Sequence, residues 1–195
     1  MIQRKIRNII FDFDGLIIET EEVAFNSVRD MFRSFGVDLP FSLWAQVIGG
    51  SGGTSGGSDV IDVYDYLEEK LGTVIDRASI RSVVRSRQQD LVDELPLLPG
   101  VADYILEGTR LGLKLAVASS SSRAWVNRHL ERRELRSLFE VIVTRDDVER
   151  PKPEPDLFNA VLEKLKCEPE ECIAGIVSET MLWSLSLGAL GTMRL

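Results

Sequence analysis

Residues 9–15, Ile9-Ile10-Phe11-Asp12-Phe13-Asp14-Gly15, run from a short apolar stretch straight into two carboxylates. β-Branched and aromatic residues in so short a run predict an interior strand. Alternation along a strand puts Asp12 and Asp14 on the same side of the backbone as the strand gives out. Open α/β sheets bind ligands beyond the carboxyl ends of their strands. Two acids at that point supply a nucleophile and a proton-transfer partner within one turn of chain. A competing reading takes Asp14-Gly15 as the two-residue turn of a hairpin between 9–13 and 16–18. The rest of the chain weighs against it.

Working outward, the pattern alternates. Residues 20–35 carry Phe25, Val28, Met31, Phe32 and Phe35 at helical spacing, and Gly36 stops the run. A short helix is expected over 43–48, followed by the Gly/Ser stretch 49–58, which reads as a flexible connector. That stretch lacks the Lys-Ser/Thr that would make it a phosphate-cradling P-loop. Helical periodicity resumes over 60–71 and 75–95. From Pro99-Gly100 onward, helices at 101–111, 124–135 and 156–165 alternate with strands at 113–118, 139–143 and 172–177. Strands alternating with helices imply βα units and a largely parallel sheet.

Composition narrows the function classes. A chain of 195 residues hides roughly 70% of its unfolded surface and suits one domain with a modest insertion. A net charge of −8 argues against a nucleic-acid binder. Arg128, Arg132, Arg133 and Arg136 cluster on one expected helix and read as a solvated face. No stretch reaches membrane-spanning length without charge or glycine, and the N-terminus carries no secretory pattern, so no membrane partner and a cytoplasmic location are expected. Cys167 and Cys172 are too few for a disulfide framework or a zinc site. His129 is the sole histidine and reads as a packing or surface residue.

Three groups fall at strand ends: Asp12 and Asp14 after the first, Ser119 to Ser122 after the second, and Arg150-Pro151-Lys152-Pro153-Glu154-Pro155-Asp156 after the third. Parallel strands bring these to one edge of the sheet. Each has a structural alternative. Ser121 or Ser122 can cap the helix that follows, as can Asp156, and the prolines around Lys152 can stiffen a connection.

Together, in this order, the motifs Phe11-Asp12-Phe13-Asp14-Gly15-Leu16, Ala118-Ser119-Ser120-Ser121 and Lys152-Pro153-Glu154-Pro155-Asp156 resemble the haloacid-dehalogenase-like hydrolase superfamily, and within it the β-phosphoglucomutase-like phosphatases. The resemblance implies a Rossmann-like parallel sheet core over 1–19 and 96–195, with an inserted α-helical cap over 20–95 that closes on the site. It also implies a phosphatase acting on small phosphorylated metabolites through an aspartyl-phosphate intermediate. Asp12 is then the nucleophile and Asp14 the acid and base. Ser119 and the Ser120 amide bind phosphate, and Lys152 neutralises charge beside them. Mg²⁺ is implied as cofactor, bridging Asp12, the Asp14 carbonyl and a phosphate oxygen. Glu19 and Glu21 match the acidic hinge into the cap, with Glu19 where Asp is usual.

The family's fourth motif does not appear. Gly175-Ile176-Val177-Ser178 stands where a strand ending in an acidic pair is expected, and Glu179 is shifted from those places. With Asp12 as the one remaining carboxylate ligand, Mg²⁺ is expected to bind more weakly. The last twenty residues are almost uncharged, and the core is expected to be C-terminally truncated, either by a frameshift near residue 175 or as a genuine divergent end. Phosphomonoester hydrolysis leads the functional readings. A catalytically impaired phosphate-binding pseudoenzyme is the alternative. A phosphosugar mutase ranks lower, because Val23 and Ala24 stand near the places where such enzymes carry a histidine and the Gly/Ser stretch near those of a basic cap residue. A phosphoacceptor receiver domain is disfavoured by the helical insertion. The substrate and the oligomeric state are left open.

Overall fold

The computed structural model describes residues 6–49, 62–178 and 181–186, without side chains at 47–49, 176–178 and 181–186. The Gly/Ser connector beyond Gly49, Glu179 and the last nine residues lie outside the described residues. The chain divides into two units, Met1–Glu19 with Leu95–Leu195, and Thr20–Glu94.

The first unit is α/β. Among the described residues its strands form one sheet in the order β3-β2-β1-β4-β5. These are β1 (Asn8–Phe11), β2 (Lys114–Ser119), β3 (Val141–Thr144), β4 (Cys172–Ser178) and β5 (Met181–Ser186). β1 pairs in parallel with β2 on one side and β4 on the other, with Phe11 opposite Val117 and Gly175. A strand bonded along both edges leaves no place for a hairpin partner, so the Asp14-Gly15 hairpin does not form. β3 continues the parallel arrangement beyond β2, while β5 lies antiparallel to β4. The chain thus winds outward from β1 to β3 and returns to the opposite side of β1. That reversal is a topological switch point, and it falls at the site's strand.

The helices of this unit follow their sequence signals. α5 (Val101–Arg110) begins after Gly100, which takes a left-handed φ of 83°. α6 (Arg123–Arg132) is capped by the Ser122 hydroxyl, which accepts from the Trp125 amide at 3.3 Å. α7 (Asp156–Leu165) packs Leu157, Val161 and Leu165 against Ile10, Ala116 and Ala174 of the sheet. Small alanines at the sheet surface let the larger helix side chains seat, and each fully buried aliphatic chain contributes about 1.5–3 kcal/mol. Asp156 does not cap α7. It is the first helical residue, and its carboxylate takes the Arg150 guanidinium at 3.2 Å.

The second unit is helical throughout its described residues: α1 (Glu21–Ser34), α2 (Phe41–Gly49), α3 (Val63–Leu71) and α4 (Arg77–Glu94). Phe32, Leu67, Trp44 and Val84 sit in its own apolar cluster. Arg87 of α4 reaches Asp30 of α1 at 3.0 Å. Arg77 ties the start of α4 to Asp62, Asp65 and Glu68 around α3.

Of the basic cluster, Arg128 and Arg132 are exposed, but Arg133 and Arg136 are half-buried. Their guanidinium groups donate to the Leu95 carbonyl at 2.7 Å and the Phe139 carbonyl at 3.2 Å. Those two arginines bind the chain together rather than forming a solvated face.

Candidate active site

β1 ends at Phe11 because the next residues turn their backbone groups to local partners. The Asp12 amide still donates to the Gly175 carbonyl at 3.0 Å, continuing the β4 pairing by one bond. The Phe13 amide then donates to Asp12 Oδ1 at 2.7 Å. From Phe13 the chain winds into a tight turn, with the Ile17 amide on the Phe13 carbonyl at 2.9 Å and the Gly15 amide on the Ile18 carbonyl at 2.8 Å. Gly15 takes a φ of +71°, which explains glycine at that position.

Two acid-centred arrangements result. At the first, Lys152 Nζ lies 2.7 Å from Asp12 Oδ1. Nζ itself is buried and stands 5.6 Å from the centre of the Phe158 ring. Burial pushes the Asp12 carboxyl up from its ordinary value, against the pull of Lys152, and the Asp14 charge adds to the rise.

At the second, Asp14 receives several donors. Its Oδ2 accepts from Ser121 Oγ at 2.6 Å and from Ser119 Oγ at 3.2 Å. Its Oδ1 accepts from the Trp125 indole Nε1 at 3.1 Å. Ser119 is fully buried as the last residue of β2, and its hydroxyl also accepts from the Ser121 amide at 3.0 Å. The Ser120 hydroxyl is buried without a hydrogen-bond partner among the described residues.

Asp12, Asp14, Ser119, Ser120 and Lys152 therefore gather at the carboxyl ends of β1 and β2 and the turn leading into α7. Glu19 is half-buried as the last residue of the first unit's opening segment, and Glu21 is exposed as the first residue of α1. His129 is buried, stacked near Phe13 at 6.3 Å and edge-on to Trp125 at 4.3 Å, so it packs beneath the site.

Sequence reasoning missed Trp125. The available signal was its place three residues after the Ser122 cap, in the first turn of a helix that leaves the same strand end as Ser119. Ser121, read as a cap alternative, turns to Asp14 and leaves the cap to Ser122.

A haloacid dehalogenase-like hydrolase family model matches residues 9–175, from β1 to the β4 residue opposite Phe11. The chain belongs to this family. Among the relatives of this haloacid-dehalogenase-like hydrolase is the provisionally named phosphatase YhcW of Bacillus subtilis, 37% identical over 169 residues, covering 87% of the chain and 74% of YhcW. A phosphorylated carbohydrates phosphatase of Thermotoga maritima is 27% identical, with 85% of this chain and 73% of that one covered. A crystal structure of a substituted CbbY from Rhodobacter sphaeroides, in complex with xylulose-(1,5)bisphosphate, superposes with a TM-score of 0.64 at 28% identity, covering 87% and 76%. By family resemblance the chain is a haloacid-dehalogenase-like phosphatase.

Among the described residues no group of three or more His, Cys, Asp or Glu side chains is placed to hold a metal ion. Among the described residues no helix is long and apolar enough to cross a membrane.

Proposed function

We propose that the chain hydrolyses phosphomonoesters of small phosphorylated metabolites, with Asp12 as nucleophile. The observation that carries this reading is the pairing of Asp12 with Lys152 at 2.7 Å, beside an Asp14 held on Ser119 and Ser121. Asp12 attacks phosphorus and forms an aspartyl-phosphate as the ester P–O bond breaks. Asp14 delivers a proton to the leaving oxygen and later takes one from the attacking water. Lys152 offsets negative charge at Asp12 and at the phosphoryl oxygens. The Ser119 hydroxyl, turning its one proton from Asp14 to the substrate, and the Ser120 amide donate to those oxygens. The helical unit Thr20–Glu94 serves as the cap, entered through Glu19 and Glu21.

The donor chemistry fits Mg²⁺. Burial and the Asp14 charge disfavour the ionised form of Asp12, and a cation beside it favours that form. Mg²⁺ is commonly held by one or two carboxylates together with substrate phosphate oxygens. Asp12 and the Asp14 carbonyl would hold the ion, which when bound supplies charge neutralisation at phosphorus. With one carboxylate the binding is weak.

A phosphorylated carbohydrate is the substrate class favoured by the name of the Thermotoga maritima relative and by the bisphosphate held in the CbbY structure. The test is Mg²⁺-dependent phosphate release from p-nitrophenyl phosphate and from a panel of sugar phosphates, with Asp12→Asn in parallel. Turnover lost in the variant supports the reading. A folded wild-type protein with no turnover above the variant overturns it in favour of a phosphate-binding pseudoenzyme.

A further inference from the structure

The geometry points to Trp125 as a positioning residue that fixes the orientation of the Asp14 carboxyl group. This rests on the proposed role of Asp14 as acid and base. The indole Nε1 lies 3.1 Å from Asp14 Oδ1, while Ser119 and Ser121 face Oδ2. An indole N–H only donates, so Oδ1 stays an acceptor whether Asp14 is ionised or not. A hydroxyl both donates and accepts. Ser121 Oγ, at 2.6 Å, therefore donates to Oδ2 when Asp14 is a carboxylate and accepts from it when Oδ2 is protonated. Trp125 thus pins Oδ1 from one side while Ser119 and Ser121 hold Oδ2 from the other, which fixes the plane of the carboxyl group.

The indole is itself held rigidly. The Trp125 amide is fixed by the Ser122 cap at 3.3 Å. One turn later His129 meets the ring edge-on at 4.3 Å with planes 76° apart. His129 is fully buried and stacks near Phe13, the residue between the two acids. Asp14 is thus tied through its side chain to the same α6 surface that supports its backbone neighbour. In the step this serves, the ester P–O bond breaks and its electron pair stays on the leaving oxygen. Asp14, held in this orientation, delivers a proton to that oxygen.

Trp125→Phe keeps the ring and removes the donor. The test measures kcat/KM for a series of para-substituted phenyl phosphates of nearly equal size, from p-nitro to p-methoxy. The quantity reports steps through the first phosphoryl transfer. A good leaving group departs without help, whereas a poor one needs the proton. Trp125→Phe is expected to lower kcat/KM about tenfold more for p-methoxyphenyl than for p-nitrophenyl phosphate, a fraction of what a positioned acid contributes. An equal loss across the series, or no loss, overturns the proposal, because a merely structural role moves all members together.

A second measurement does not depend on turnover. The Trp125 indole N–H resonance, assigned by its disappearance in Trp125→Phe, is expected to shift in Asp14→Ala while that of Trp44 stays in place. An unmoved Trp125 resonance overturns the contact. If the wild-type protein turns over none of the phenyl phosphates, the phosphatase reading falls, while a shifted resonance still upholds the Trp125–Asp14 tether.

Discussion

Lys152 Nζ and Asp12 Oδ1, 2.7 Å apart, join the turn before α7 to the end of β1 through an ion pair whose side chains are only 20% and 14% exposed. Removing one member of such a pair leaves an uncompensated charge out of water, which costs about 3–5 kcal/mol, whereas removing both can be near neutral. Lys152→Met is expected to destabilise the protein by about 3 kcal/mol, and adding Asp12→Asn to recover at least half of that. Urea unfolding of the four members of the cycle checks this. A double variant no more stable than Lys152→Met would show that the pair contributes nothing through its mutual compensation.

The strand ends were legible because chemistry and periodicity coincide there. The run at 9–11 is apolar on both faces, as the strands of a parallel sheet commonly are, and α7 starts and stops at the residues its apolar spacing gives. β1 closes at Phe11, because the Phe13 amide goes to Asp12 Oδ1 and its carbonyl to the turn at Ile17. Local hydrogen bonding by Asp competes with the ladder, and periodicity does not register that competition. Asp12, Asp14, Ser119 and Lys152 were legible because each ends or follows a strand. Trp125 was not. Its bond to Asp14 spans 111 residues of sequence and depends on how α6 leaves β2, which no local pattern encodes.

Gly108 in α5 offers a contest between helix propensity and packing. An added Cβ would meet Leu115 Cδ2 at 3.0 Å and Ile9 Cδ1 at 3.2 Å. Alanine gains about 1 kcal/mol over glycine in a helix interior. Overpacking a filled core costs about 1–3 kcal/mol, and Leu115 is buried with little room to yield. Packing wins, so Gly108→Ala is expected to be destabilised by about 1 kcal/mol in urea unfolding. A stabilised variant would mean that the Leu115 and Ile9 side chains give way freely.

Acid stability should depend on Asp147. Burial alone pushes its carboxyl up, but the Thr144 amide at 2.7 Å, the Arg123 guanidinium and the Thr144 hydroxyl at 2.9 Å outweigh it and hold the group down to about 2. A folded-state value below the unfolded one stabilises above the unfolded value, near 4, and the contribution fades as pH falls toward 2. At a partly exposed site this is on the order of 1 kcal/mol. Asp147→Asn is therefore expected to lower the urea midpoint at pH 6 and to differ less from wild type at pH 2.5. An equal difference at both pH values contradicts the linkage.

The two thiols should differ in reactivity although their sulfurs lie only 3.5 Å apart. Cys172 is fully buried at the start of β4, and burial, with the neighbouring Cys167 thiol adding to it, pushes its thiol up to about 12. The Asn8 amide, 3.5 Å away, opposes this only weakly. The thiolate is the reactive form, and at pH 8 a group of this kind is ionised to about one part in ten thousand. Cys167 is half-buried and reachable. Iodoacetamide at pH 8 should thus alkylate about one thiol per folded chain and two after denaturation, with labelling of the folded chain nearly abolished by Cys167→Ser. Fast labelling of a second thiol in the folded protein would show that β4 opens at its first residue, against the burial of Cys172 beside Asn8.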